Sequence, residues 1–137
     1  MITKITHVPI LVSDQKEALE WFTIKLGFEV KANDPFPDNP EHFWITVAPP
    51  QQADLEIVLQ PPLWGPEGEP DERAWLIGKQ PGFVMMSTDC RADCEELKAR
   101  GVKVVDEPME MPGASRRCSL TFMGTCIISW NRERWSD

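Results

Sequence analysis

No apolar run in this 137-residue chain approaches the ~20 residues that a membrane span requires. The N-terminal MITKITHVPILV lacks a basic region followed by a long apolar stretch and a small-residue cleavage site, so neither a membrane anchor nor a secretory leader is expected and a cytoplasmic location follows. Basic residues are in deficit: 14 Lys and Arg stand against 22 Asp and Glu, for a net charge of −8. That balance argues against nucleic acid as a partner, since phosphates demand a basic face, and would attract a cationic ligand. The four cysteines, Cys90, Cys94, Cys118 and Cys126, contain no CxxC pair and do not make a disulfide framework in a chain of this length without an export signal. They are read as reduced thiols. Cys90 and Cys94, four apart, are read as small, partly buried side chains of a helix.

What is present is a duplicated unit. Ile5 to Val30 reads as strand, helix and returning strand, and Gly82 to Val105 repeats it: Val8-Pro-Ile-Leu-Val-Ser-Asp14 falls on Phe83-Val-Met-Met-Ser-Thr-Asp89. A hydrophobic content of 42% with 26% charged residues is that of a soluble globular protein. Two halves of roughly 60 residues would be marginal alone, and packed together they make one domain.

In the first strand Val8, Ile10 and Val12 are expected to pack on a helix, with His7, Pro9 and Leu11 on the other face. Asp14 and Glu17 form a capping box. Ala18, Trp21, Phe22 and Leu26 then recur at helical spacing up to Gly27, which stops the helix. Phe28 to Lys31 is a short strand, and the proline-broken segment Ala32 to Pro40 is expected as a loop over the mouth of whatever the sheet encloses. Strands follow at Phe43–Val47 and Asp54–Leu59; in the latter Leu55, Ile57 and Leu59 face the helix while Glu56, Val58 and Gln60 face away. The segment from about 61 to 81 is a linker, rich in proline and glycine, with a helical turn at Asp71–Ile77. Its Trp64 and Trp75 are read as packing anchors, with the capping of a pocket or a dimer interface as the alternative. Module 1 thus covers about 1–60 and module 2 about 82–137. The second module has a strand at Phe83–Ser87, a helix at Cys90–Arg100, a strand at Val102–Val105, a loop at Pro108–Gly113 and strands at Arg117–Phe122 and Cys126–Trp130. Each half is βαβββ, and the whole is α+β.

The run His7-Val-Pro-Ile-Leu-Val-Ser-Asp14, then Trp21-Phe22 and Leu26-Gly27-Phe28, then Asp54-Leu-Glu-Ile57 resembles the vicinal oxygen chelate superfamily. That family includes glyoxalase I, bleomycin resistance proteins, fosfomycin-modifying enzymes and extradiol dioxygenases. Leu97, Arg100-Gly101-Val102, Gly124 and Ile127 extend the likeness over nearly the whole chain. The resemblance implies two tandem βαβββ modules whose curved mixed sheets surround a cleft, and a homodimer.

In metal-dependent relatives four cleft-facing slots lie on the first and fourth strands of each half. Carried over, they fall on His7 and Glu56, both able to bind a divalent metal, and on Gly82 and Ile128, which cannot ligate through their side chains. Phe122-Met123-Gly124-Thr125 replaces the family's aspartate-rich turn. An open metal site takes about three protein ligands, so His7 and Glu56 need His42 or a ligand atom to hold a metal firmly. They are read as a residual pair hydrogen-bonded across the cleft, and no metal cofactor is expected.

Two functions are consistent with this pattern. One is a metal-free protein that sequesters a flat aromatic, cationic ligand, with Trp44 and Trp130 at cleft-facing positions, Val84, Met86, Cys126 and Ile128 as an apolar wall, and His7, Glu56 and Gln60 as its polar groups. The other is a lyase, isomerase or dioxygenase of the same superfamily, in which a divalent metal held by His7 and Glu56 polarises the substrate, or Glu56 acts as general base.

Overall fold

A computed structural model describes residues 1–64, 70–79, 83–111, 114–122 and 125–131, and beyond residue 107 it describes the backbone path. The chain is a mixed α+β protein that divides into two compact units, Met1–Ile77 and Gly78–Asp137.

In the first unit β1 (His7–Leu11) is followed by α1 (Gln15–Glu20), β2 (Glu29–Phe36), β3 (Asn39–Ala48) and β4 (Glu56–Gln60). The sheet order is β1-β4-β3-β2. β1 runs parallel to β4, from His7 opposite Glu56 to Leu11 opposite Gln60, and β3 lies antiparallel to β4 with Thr46 opposite Val58. Asp14 starts α1: its Oδ1 accepts from the backbone N–H groups of Lys16 and Glu17 at 2.8 and 3.0 Å, which satisfies donors that the first helical turn leaves unpaired. Gln15 then donates its amide to the carbonyls of Phe43 and Leu59 at 2.8 and 2.9 Å, tying the helix start to two strands. The core beneath is Val12, Ala18, Phe22, Val47 and Leu59, all fully buried. Leu11, expected on the opposite face, is also buried, because the period-2 alternation ends where the strand gives way to the turn into α1.

The expected continuous helix is interrupted. Trp21–Lys25 form a π-turn, in which the Leu26 N–H bonds to the Trp21 carbonyl at 3.2 Å. Thr23 donates its hydroxyl to the Leu19 carbonyl at 2.7 Å, a side-chain bond that competes with the helical ladder. The wider turn lets the neighbours Trp21 and Phe22 both reach the core, their rings edge to face with centroids 5.2 Å apart. Gly27, at φ 76°, closes the element in a conformation that a side chain would oppose.

The loop expected at Ala32–Pro40 is instead a hairpin, with β2 reaching Phe36 and β3 beginning at Asn39. Pro35 is tolerated because β2 is the outer strand, where a missing N–H costs no ladder bond. Pro9 likewise lies on an outer strand, β1.

After α2 (Pro70–Trp75), the second unit comprises β5 (Val84–Ser87), α3 (Cys90–Ala99), β6 (Lys103–Met111), β7 (Ala114–Phe122) and β8 (Thr125–Asn131). Its order, β5-β8-β7-β6, has the same pattern, with β5 parallel to β8. Asp89 caps α3 through Ala92 N–H at 3.1 Å, and Gly101 ends it at φ 85°. Cys90 and Cys94 are not joined in a disulfide and are fully buried. β6 runs through Pro108 to Met111, where a loop was expected, again on an outer strand.

The core position of Phe22 sets an expectation: Phe22→Ala will lower unfolding stability by about 3–5 kcal/mol, read as a lower urea midpoint. Gly27→Ala will cost about 1–2 kcal/mol through its left-handed φ.

Candidate functional site

The parallel register of β1 and β4 places His7 directly beside Glu56. His7 Nε2 lies 3.8 Å from Glu56 Oε1, beyond hydrogen-bond length and within ion-pair range when the imidazole is protonated. The expected hydrogen bond between them is therefore absent. Glu56 Oε1 instead accepts from the Thr46 hydroxyl at 2.5 Å, and Thr6 Oγ1 lies 2.8 Å from His7 Nδ1. Thr46 is fully buried, so its hydroxyl needs this partner. Both His7 and Glu56 retain access to solvent, at 37% and 28% exposure of their side chains, and remain available to a ligand.

Trp44 lies two residues before Thr46 on β3 and so shares its face. Its ring centroid is 5.6 Å from that of His7 and 6.2 Å from that of Trp64, with the two indole planes only 14° apart. Trp64 follows β4 in a short turn, its N–H bonded to the Pro61 carbonyl at 3.2 Å. Its indole Nε1–H donates to His42 Nδ1 at 3.0 Å, Gln60 Nε2 donates to its carbonyl at 3.3 Å, and Phe36 meets it edge to face at 5.0 Å. One sheet face thus combines a carboxylate and an imidazole with a wall of aromatic rings. Thr46 was missing from the sequence-derived set, and Trp64 figured there only as a packing anchor, with pocket capping as the alternative. Alternation from Trp44 would have found Thr46, whereas no periodicity marks Trp64.

A cavity of about 580 Å³ opens elsewhere in this unit, between α1 and the opposite face of β3, with Leu19, Phe43 and Ile45 among its apolar lining and Lys16 and Glu41 among its charged groups. His42 also lines it, whereas His7, Trp44 and Glu56 do not.

In the second unit Val84 and Met86 project from β5 and are 67% and 64% exposed. Gly82 lies outside the described residues. Cys126, Ile128 and Trp130 are placed on β8 by backbone pairing, with Ile128 opposite Val84 and Trp130 opposite Met86. This register corrects one sequence assignment. Val84 corresponds to Pro9, whose β4 partner is Val58, so Ile128 corresponds to Val58 and the counterpart of Glu56 is Cys126, two residues earlier. Sequence offset from Gly124 missed this because strand pairing, not distance from a turn, sets which residues stand opposite.

Among the described residues no three His, Cys, Asp or Glu side chains cluster as a metal site. His7 and Glu56 supply two donors where an open site takes about three, and His42 Nδ1 is engaged by Trp64. The first unit's described donor set does not by itself fit a resident metal.

This architecture has a family. The model of the Glyoxalase/Bleomycin resistance protein/Dioxygenase superfamily matches residues 4–121, and the chain belongs to that superfamily. It is similar to the uncharacterized protein YetH of Bacillus subtilis (strain 168), 31% identical over 114 residues that cover 81% of this chain and 83% of that one. Among solved structures it is similar to UcmS2, with a TM-score of 0.82, 31% identity and coverage of 96% of this chain and 99% of that one. It also resembles TnmS3, an antibiotic binding protein from Streptomyces sp. CB03234, with a TM-score of 0.75, 29% identity and coverage of 95% and 96%.

The Thr46–Glu56 bond is open to direct measurement. A double-mutant cycle with Thr46→Val and Glu56→Ala, each of which deletes the bond, is expected to show coupling of about 1.5–3 kcal/mol in unfolding free energy, as befits a hydrogen bond to a charged acceptor.

Proposed function

We propose that the protein is a small-molecule binding protein that holds a flat aromatic, cationic ligand against Trp44, with Glu56 as its counter-charge, and releases it chemically unchanged. The observation that carries this reading is the placement of the Trp44 ring beside His7 on the face that also presents the Glu56 carboxylate. An indole face attracts a planar ring by stacking and a cation through its quadrupole, and a carboxylate nearby adds charge attraction. His7 and Gln60 supply polar edges. The net charge of −8 favours encounter with a cation. The description of the similar TnmS3 as an antibiotic binding protein supports the same class of activity. A homodimer belongs to this reading, since the exposed Val84 and Met86 are apolar side chains that association would bury.

A second reading, a metal-dependent lyase, isomerase or dioxygenase, is favoured by one distance: two bonds of about 2.1 Å can span the 3.8 Å between His7 and Glu56. The two readings part cleanly. Titration with proflavine, a planar tricyclic cation, is expected to show saturable binding that weakens about tenfold in Trp44→Leu and only about threefold in Glu56→Gln, with the probe recovered intact by mass spectrometry. Elemental analysis after exposure to Ni²⁺, Zn²⁺, Mn²⁺ and Fe²⁺ is expected to find no stoichiometric metal. Metal at one equivalent, lost in His7→Ala or Glu56→Gln, would establish the second reading instead.

A further inference from the structure

Trp64 is held in place by contacts of two kinds. Its ring lies nearly parallel to Trp44, 14° apart with centroids at 6.2 Å, and meets Phe36 edge to face. Its polar atoms are tethered separately: the indole N–H to His42 Nδ1 at 3.0 Å, and the carbonyl to Gln60 at 3.3 Å. The bond to His42 requires an Nδ1 without a proton, which fixes the Nε2–H tautomer. The turn that carries Trp64 is anchored on its far side, where Arg73 Nε donates to the Pro62 carbonyl at 2.5 Å. A fixed stem thus carries a ring that a neutral hydrogen bond to His42 and the stack on Trp44 fasten to β3.

A planar ligand sandwiched between two indoles needs about 7 Å between their planes, twice the carbon–carbon contact distance of about 3.5 Å. Nearly parallel rings with centroids only 6.2 Å apart have planes no farther apart than that, so a planar ring does not fit between Trp44 and Trp64 in the free chain. We propose that Trp64 is the movable second wall of the site, latched to His42 in the free chain and released when a planar ring stacks between it and Trp44. The proposal rests on the binding function above and narrows its ligand class to molecules with a ring thin enough to enter that gap. Release gives up the indole–imidazole hydrogen bond and the direct Trp44–Trp64 stack, and the ligand replaces the latter with a ring stacked on each indole. Because ligand reaches only the open form, the observed association rate and affinity scale with the open fraction. A neutral hydrogen bond shifts such an equilibrium by about two- to tenfold.

Stopped-flow mixing of the full chain with proflavine tests this. His42→Leu, which removes the acceptor, and Trp64→Phe, which keeps a ring and removes the donor, are both expected to associate about two- to tenfold faster than the native chain. Trp64→Phe should retain the native dissociation rate within about threefold. Trp64→Leu, which removes the wall, should dissociate at least tenfold faster. Native association rates in both His42→Leu and Trp64→Phe would overturn the latch, and native dissociation in Trp64→Leu would overturn the wall. Trp44→Leu separates this idea from the function beneath it. Loss of binding there, with native kinetics in all Trp64 and His42 variants, leaves the site standing and removes the gate. Native binding by Trp44→Leu, or no proflavine binding by the native chain, removes both.

Discussion

Parallel pairing of β1 with β4 is the constraint from which the first unit follows. Two parallel neighbours cannot be joined by a tight turn, so the intervening chain must cross over before β4 returns beside β1: α1 packs against the sheet, and the β2–β3 hairpin extends it beyond β4. The Gln15 amide, donating to carbonyls on β3 and at the end of β4, fastens the excursion where it leaves. Once β4 lies between β1 and β3, its Glu56 has His7 on one side and Thr46 on the other. The site is thus a product of strand order: three residues distant in sequence meet because β4 is central.

That geometry also sets which donors the first unit has to spare. Glu56 has committed one oxygen to a buried hydroxyl, and removing that bond would leave Thr46 without its partner. The rest of that face is lined with the rings of Trp44, Trp64 and Phe36.

The features legible in the sequence were those written in local chemistry. Asp14 and Asp89 cap their helices, Gly27 and Gly101 end them at positive φ, and the strand–helix spacing between these marks repeats, which was enough to establish the α+β class. Features that depend on position within a sheet were not legible. Pro35 and Pro108 read as strand breakers because sequence does not say which strand is outermost. The π-turn escaped because Trp21 and Phe22, adjacent and both apolar, suit an ordinary helix equally well. His7, Trp44 and Glu56 were found through strand alternation and family likeness. Thr46 required only that alternation be carried one step further. Trp64 carries no periodic signal, and its place over Trp44 arises from a turn.

The outer-strand prolines have a consequence for the protein's life at high concentration. An outer strand presents unpaired N–H and C=O groups on which a strand from another molecule can template, the first step of runaway sheet growth. Pro9 on β1, Pro35 on β2 and Pro108 on β6 each remove one donor from such a template. Among the described residues β5 is the bordering strand that carries no proline, so within its own sheet it lacks this protection.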